Sequence, residues 1–317
     1  MSNNTSPKIT VVGSLNMDLI VRAPHIPVPG ETVSGGEFRT AAGGKGANQA
    51  VAAARLGAQV TMVGCVGDDA HGRALVSGLQ ADGIRTEFVR VETATGTGVA
   101  LITVADSGEN SIVVSPGANH ALAPADVEAA DAAIAGADMV LLQLEIPLSV
   151  VDATVQMAAR HNVPVLLNPA PAKPLPDEIL AKATYFIPNE TETALYCGFP
   201  VSGRRAAEKA AAQLRERFGI EMVVLTLGSR GALLYSGGQP TVVPSFSVSA
   251  VDTTAAGDAF VGGFAVGISE GRDPVDAARF AAAVAALSVT KIGAQPSLPR
   301  RSEVLRFLDT NKAQRSD

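Results

Sequence analysis

Short, wholly apolar runs alternate with Ala- and Leu-rich segments of about a dozen residues, and this alternation limits the possible folds more than any other feature of the chain. Ile9-Thr10-Val11-Val12-Gly13 predicts a buried strand, Asn48 to Leu56 a helix ending at Gly57, Val60 to Val66 a strand and Asp69 to Leu79 a helix. Further on, Asp138 to Leu144, Val163 to Leu167, Tyr185 to Ile187 and Met222 to Leu227 read as strands, with Ser149 to Arg160 and Arg204 to Phe218 as helices between them. Strands without a polar face, joined by helices, imply βαβ units and a mainly parallel sheet with helices on both faces.

Two stretches break the rhythm. Residues 15–40 are rich in Pro, Gly and β-branched residues with no helical period. Residues 96–115 read as two strands, Gly98 to Val104 and Asn110 to Val114, joined by an Asp106-Ser107-Gly108 hairpin turn. A small β-sheet lid is therefore expected, inserted at about 15–42 and 96–118 into a single α/β domain spanning 1–317. A strand-like run, Thr241 to Val251, leads into an Ala/Gly-rich helical stretch, Gly257 to Val289, whose small side chains allow close packing.

Composition removes several classes of protein. The formal net charge is −6, and the only Arg pairs, Arg204-Arg205 and Arg300-Arg301, form no basic stripe, which argues against nucleic acid as a partner. A 47% apolar content excludes a disordered chain. The two cysteines, Cys65 and Cys197, make no disulfide framework, and the four histidines (His25, His71, His120, His161) lack zinc-ligand spacing. No apolar run is long enough for a membrane span, and Met1 to Lys8 is polar, so a cytoplasmic protein with reduced thiols is expected.

The segment Val251-Asp252-Thr253-Thr254-Ala255-Ala256-Gly257-Asp258 stands at the start of that helical stretch. Small residues there leave backbone N–H groups open to an anion. Asp258 by position alone reads as a capping carboxylate. Beside a phosphate cradle it reads as a base that takes a proton from an attacking hydroxyl. Gly43-Gly44-Lys45-Gly46-Ala47-Asn48 is a Gly-rich loop that lacks the Ser or Thr of a Walker A motif; it is either an ordinary loop or a ligand cradle with Lys45 and Asn48 as donors. Asn16 and Asp18 follow the first strand and point to one side, an amide and a carboxylate suited to sugar hydroxyls or simply turn residues. Glu145 follows another strand. Asn189-Glu190-Thr191-Glu192 reads as a capped helix start or as an amide and carboxylate near a metal and phosphates, and Thr226 to Gly231 as a hairpin turn or a nucleotide loop.

These segments, in their order, resemble the ribokinase/PfkB family of sugar kinases. The most specific pieces are Gly43-Gly44-Lys45-Gly46-Ala47-Asn48, within a match that runs to Gln49 and Ala50, and Asp252-Thr253-Thr254-Ala255-Ala256-Gly257-Asp258. The supporting pieces include Gly13 to Asp18, Pro29 to Thr32, Gln143-Leu144-Glu145, Asn168 to Ala172, Pro188 to Glu192, Leu227 to Gly231 and Gly293 to Ser297. The resemblance implies a Rossmann-like α/β fold with a β-lid that closes over the sugar, often clasped against a second lid in a homodimer. It implies an ATP-dependent kinase for the 5-hydroxyl of D-ribose. Asp258 would be the catalytic base, with Ala255, Ala256 and Gly257 forming the anion hole. Asn16, Asp18, Gly44, Lys45, Asn48 and Glu145 would contact the sugar, together with Asp258. Asn189, Thr226, Gly228, Ser229, Gly231 and Gly257 would contact the nucleotide, and Glu192 would influence Mg²⁺. A monovalent cation, usually K⁺, is implied at Asp252, Thr254, Ser288, Lys291, Gly293 and Ser297.

Two positions depart from the family pattern. Ala282 stands near the adenine, where relatives often carry His or Asn, and Val261 replaces a polar residue. The first bears on nucleotide selectivity, the second on packing. The alternatives are another kinase of the family acting on deoxyribose, fructose or a nucleoside, and a sugar-binding regulator without turnover. The polar set Asn16, Asp18, Asn48 and Glu145 favours a free sugar over a nucleoside, and the presence of Asp258 argues for turnover.

Overall fold

The structure is a computed structural model and describes residues 6–313; part of the polar stretch Met1 to Lys8 lies outside the described residues. Thirteen strands are formed among the described residues: β1 Lys8–Val12, β2 Asn16–Ala23, β3 Phe38–Gly43, β4 Gln59–Gly67, β5 Arg85–Glu92, β6 Gly98–Ala105, β7 Asn110–Ser115, β8 Met139–Leu142, β9 Val165–Leu167, β10 Tyr185–Phe186, β11 Met222–Thr226, β12 Ala232–Tyr235 and β13 Thr241–Val243. The helices are α1 Lys45–Arg55, α2 Ala70–Ala81, α3 Pro124–Ala129, α4 Asp131–Ala135, α5 Leu148–Arg160, α6 Asp177–Leu180, α7 Glu190–Cys197, α8 Arg204–Phe218, α9 Ala256–Ser269, α10 Pro274–Ser288 and α11 Arg301–Ala313.

Nine strands form one sheet in the order β13-β12-β11-β10-β9-β8-β1-β4-β5. The pairs from β5 to β11 are parallel, and β12 and β13 add an antiparallel edge. Successive strand residues enter two different cores. Val11, Leu141, Leu166 and Val224 pack with α1, α9 and α10. Val12, Leu142, Leu167 and Val223 pack on the other face with α5 and α8. Both faces are thus apolar, which accounts for the unbroken hydrophobic runs. Each fully buried Val or Leu side chain contributes about 1.5–3 kcal/mol.

The second sheet has the order β3-β2-β6-β7. Its inner strands β2 and β6 run parallel in register from Asn16↔Gly98 to Ala23↔Ala105. It is tied to the large sheet at two places. Asn119 accepts from Leu15 N–H at 2.9 Å and donates to Leu15 carbonyl at 3.0 Å and to Asn16 Oδ1 at 2.7 Å. The Asp69 carboxylate caps α2 through Gly72 N–H and also accepts from Thr97 N–H and hydroxyl.

Several elements differ from the sequence expectation. The run Thr241 to Val251 is a strand only to Val243, because Pro244 has no N–H for the ladder. The stretch Gly257 to Val289 is two helices, broken at Gly271 and restarted by the Asp273 cap and Pro274. The helix α1 starts at Lys45 rather than Asn48. The strand β5 and the helices α3, α4 and α11 carry no strong apolar period and are seen only in the structure.

Candidate active site

The expected site residues gather at the carboxyl ends of the parallel strands, where open α/β sheets place ligands. Ser14, Asn16 and Asp18 follow β1, Gln143 and Glu145 follow β8, Asn168 follows β9, Asn189 follows β10, and Thr226 ends β11. The helices α1 and α9 aim their N-termini at the same end of the sheet.

Ala255 caps α9 in the left-handed region (φ 59°, ψ 11°), a conformation that costs a non-glycine residue about 1–2 kcal/mol. The turn it makes exposes the helix start. Among the described residues, the N–H groups of Ala255, Gly257 and Asp258 have no acceptor, while Ala256 N–H donates to the Thr253 carbonyl at 3.2 Å. Of the three expected anion-hole residues, Ala256 is therefore already engaged, and the open donors extend to Asp258 itself. Nothing lies within 4 Å of where a Gly257 side chain would begin, so the space before these donors is free for an anion.

Asp258 is only 5% exposed. Its Oδ2 accepts from Asn48 Nδ2 at 2.9 Å and its Oδ1 from Gln49 Nε2 at 3.0 Å. Burial pushes its pKa above the usual carboxylate range, opposed by Lys45 and by the two amide donors. Burial lowers the Lys45 ammonium pKa, but Asp258, Glu145 and Glu192 raise it further, so Lys45 stays charged.

Across from Asp258 lies the polar set at the base of the small sheet. Glu145 Oε2 accepts from Ser14 hydroxyl at 2.6 Å, Lys45 N–H at 3.0 Å and Asn16 Nδ2 at 3.5 Å. Gly44 caps α1 at φ 88°, and a side chain there would begin 2.7 Å from Asn16 N, so only glycine lets the two backbones meet. Asp18 is 7% exposed, and among the described residues no side chain or backbone donor reaches its carboxylate. Burial, then the charges of Glu145 and Asp258, push its pKa up to about 7.

Asn189 and Glu192 form a capping box at the start of α7. Asn189 Oδ1 accepts from Glu192 N–H, and the Glu192 carboxylate accepts from Asn189 N–H and Nδ2. Asn189 also bridges in parallel to Thr226, which brings the two expected nucleotide contacts side by side. Thr226 to Gly231 is the hairpin turn between β11 and β12, closed by Leu227 N–H on the Gly231 carbonyl at 2.8 Å, and it carries Gly228 and Ser229 at its tip. Ala282 and Val261 are 5% and 1% exposed within the core, so neither offers a polar contact.

The residues expected around a monovalent cation form two adjoining loops. Asp252 Oδ1 accepts from Thr254 N–H and hydroxyl, and its Oδ2 accepts from Gly293 N–H at 2.8 Å. Burial raises the Asp252 pKa, but these donors and Arg39 bring it below the usual range, so the charge is kept. The carbonyls of Asp252, Thr254, Lys291 and Gly293 accept no hydrogen bond among the described residues. An all-oxygen set with a carboxylate close by fits a hard cation. Lys291 could contribute only its carbonyl, because its ammonium pairs with Glu303. Ser288 and Ser297 are buried, with their hydroxyls donating to Ala285 and Ala294 carbonyls.

Five further residues join the site without having been singled out from the sequence: Ser14, Gln49, Asn119, Gln143 and Asn168. Ser14, Gln49, Gln143 and Asn168 sit inside the motif pieces that carried the family resemblance, and that was their only signal. Asn119 lies in a short 3₁₀ turn with no pattern to mark it.

The chain is similar to known carbohydrate kinases. The model of the pfkB family carbohydrate kinases matches residues 6–301. The ribokinase of Haemophilus influenzae is 45% identical over 301 residues, covering 95% of this chain and 98% of that protein. The ribokinase of Bacillus subtilis is 46% identical over 301 residues, covering 95% and 99%. Among solved structures, Arabidopsis thaliana ribokinase complexed with ribose and ATP is similar at a TM-score of 0.90 and 36% identity, over 96% of this chain and 99% of that one.

Proposed function

The chain belongs to the pfkB family of carbohydrate kinases, and on that premise we propose that it transfers the γ-phosphoryl group of ATP to the 5-hydroxyl of D-ribose, giving D-ribose 5-phosphate and ADP. One observation carries the reading: the Asp258 carboxylate lies in the first turn of a helix whose N–H groups are open, and it is bonded to Asn48 on the sugar side.

Ribose is held by Asn16, Asp18, Gly44, Lys45, Asn48 and Glu145. Its 5-hydroxyl gives a proton to Asp258 as its oxygen forms the new bond to the γ-phosphorus. The bond from that phosphorus to the β–γ bridging oxygen breaks, and ADP leaves with the electron pair. The open N–H groups at Ala255, Gly257 and Asp258, with Lys45, stabilise the charge on the transferring group. Asn189 and the turn 226–231 hold the nucleotide. Among the described residues no three His, Cys, Asp or Glu are arranged to hold a metal ion by themselves. Mg²⁺ would enter with the triphosphate, with Glu192 acting on it from the edge of the site, and would neutralise phosphate charge. The small sheet acts as the lid over the sugar and excludes water. ATP supply puts the reaction in the cytoplasm.

The test is initial-rate ADP release with Mg-ATP across a panel of pentoses, hexoses and nucleosides. Ribose is expected to give the highest kcat/KM; a preferred nucleoside or hexose would replace the assignment. K⁺ would be held by the carbonyls around Asp252 and Gly293, where it would reinforce the loop that leads into the anion hole. Exchanging K⁺ for Na⁺ is expected to lower kcat several-fold, and equal rates in the two salts would remove the cation from this scheme.

The outer strand of the small sheet leaves Ile112, Val113 and Val114 exposed, beside Leu101 of β6. A row of that kind fits the lid-to-lid homodimer implied by the family. Sedimentation equilibrium is expected to give twice the chain mass, with Val113→Lys shifting it toward the monomer.

A further inference from the structure

We propose that Gln49 is a positioning residue for Asp258, and that the direction of its amide is fixed from outside the site by Asn168 and Gln143. This rests on the reading of Asp258 as the general base.

The chain of contacts starts at a group with only one role. The Ile187 carbonyl can only accept, so Asn168 turns its Nδ2 to it, at 2.8 Å. Asn168 Oδ1 then faces Gln49 and accepts from Gln49 Nε2 at 3.1 Å. The same nitrogen reaches Asp258 Oδ1 at 3.0 Å. The Gln49 oxygen is thereby turned away, toward Gln143 Nε2 at 2.6 Å. Each amide in the row has one orientation that satisfies its neighbours. A donor therefore faces Asp258 whether or not that carboxyl carries a proton.

The unpaired atom of the row lies at its far end. Gln143 Oε1 is buried and has no partner among the described residues. Gly13 makes room for it, because a side chain at that position would begin 2.1 Å from this oxygen.

The second carboxylate oxygen is treated differently. Oδ2 meets Asn48 Nδ2, but Asn48 Oδ1 is itself buried without a partner, so Asn48 can turn and accept. Oδ1 is the held oxygen, and Oδ2 the one that can receive the proton. The other charged groups facing Asp258 are Lys45 on α1, Glu145 beyond β8, Asp18 on β2 and Glu192 on α7.

The experiment compares pH profiles of kcat at saturating ribose, where the bound sugar already occupies Asp18 and the acid limb reports the base, in the wild type, Gln49→Met and Gln143→Leu, with melting curves and calorimetric ribose binding to establish folding. Loss of a hydrogen bond to an ionised group is expected to move the acid limb of Gln49→Met up by about one to two pH units. Gln143→Leu does not touch Asp258 and adds no charge. It removes the donor that holds the Gln49 oxygen, which frees the Gln49 amide to turn and should move the same limb in the same direction by a smaller step. A merely structural role would lower the melting temperature and leave the limb in place, so an unmoved limb in either folded variant overturns the proposal. If Gln49→Met does not fold, Gln143→Leu decides alone. Full turnover by Asp258→Asn would instead remove the base reading itself. An inactive Asp258→Asn with unmoved limbs in the other two variants would remove only the clamp.

Discussion

Asp258→Asn is expected to cut kcat by about 10²–10⁴-fold, the range typical for losing a general base, without lowering the melting temperature. The reason is local. The Gln49 amide presents a donor to one side of residue 258, so an Asn there turns its oxygen to Gln49 Nε2. Its nitrogen then faces Asn48, whose own oxygen is buried and unpartnered and can rotate to accept. The variant keeps the same number of hydrogen bonds and loses a buried charge. What it cannot do is take a proton. ADP release with ribose and Mg-ATP, beside a thermal melt, separates chemistry from folding. Wild-type turnover in a folded Asp258→Asn protein would end the assignment of Asp258 as the base.

The sequence made legible what depends on runs of neighbours. Strands such as β1, β8 and β11 are apolar on both faces because helices cover both faces, so their existence and parallel pairing follow from composition alone. The small sheet was legible from its hairpin turn and its lack of helical period. The edge strand β5 was not, since one side of it is solvated and its residues alternate charged with apolar in only a partial pattern. In the site, Asp258, Asn16, Asp18, Lys45 and Glu145 stood out because each is polar at a strand end or a helix start. Gln49, Gln143 and Asn168 gave no such signal. Their meaning lies in which amide faces which, across separations of 94 to 209 residues, and no local pattern encodes that. The engagement of Ala256 N–H by Thr253 likewise depends on the left-handed turn at Ala255, which nothing in a run of small residues announces.

Asp18→Asn is expected to make the protein more stable and the enzyme worse. The Asp18 carboxylate has no hydrogen-bond donor among the described residues, and burial first, then the charges of Glu145 and Asp258, raise its pKa from 3.8 to about 7. The folded chain therefore holds this proton over a range where the unfolded chain has released it. Stability from Asp18 is full below about pH 4 and falls as pH rises toward 7. Above that range the cost is on the order of 4 kcal/mol as an upper bound. An Asn removes the titration, so urea unfolding at pH 8 should show a gain of up to a few kcal/mol that vanishes at pH 4. Ribose is the group that gives the charge a purpose, through hydroxyls that donate to it. Each such bond to an ionised acceptor is worth enough that kcat/KM for ribose should fall about 10–100-fold. In the wild type kcat/KM should also decline below about pH 7, as Asp18 takes up a proton in the free enzyme. A variant equal to the wild type in ribose use would return Asp18 to a turn residue. One with unchanged stability at pH 8 would show that the carboxylate is solvated, and that the strain between substrate binding and folding placed here does not exist.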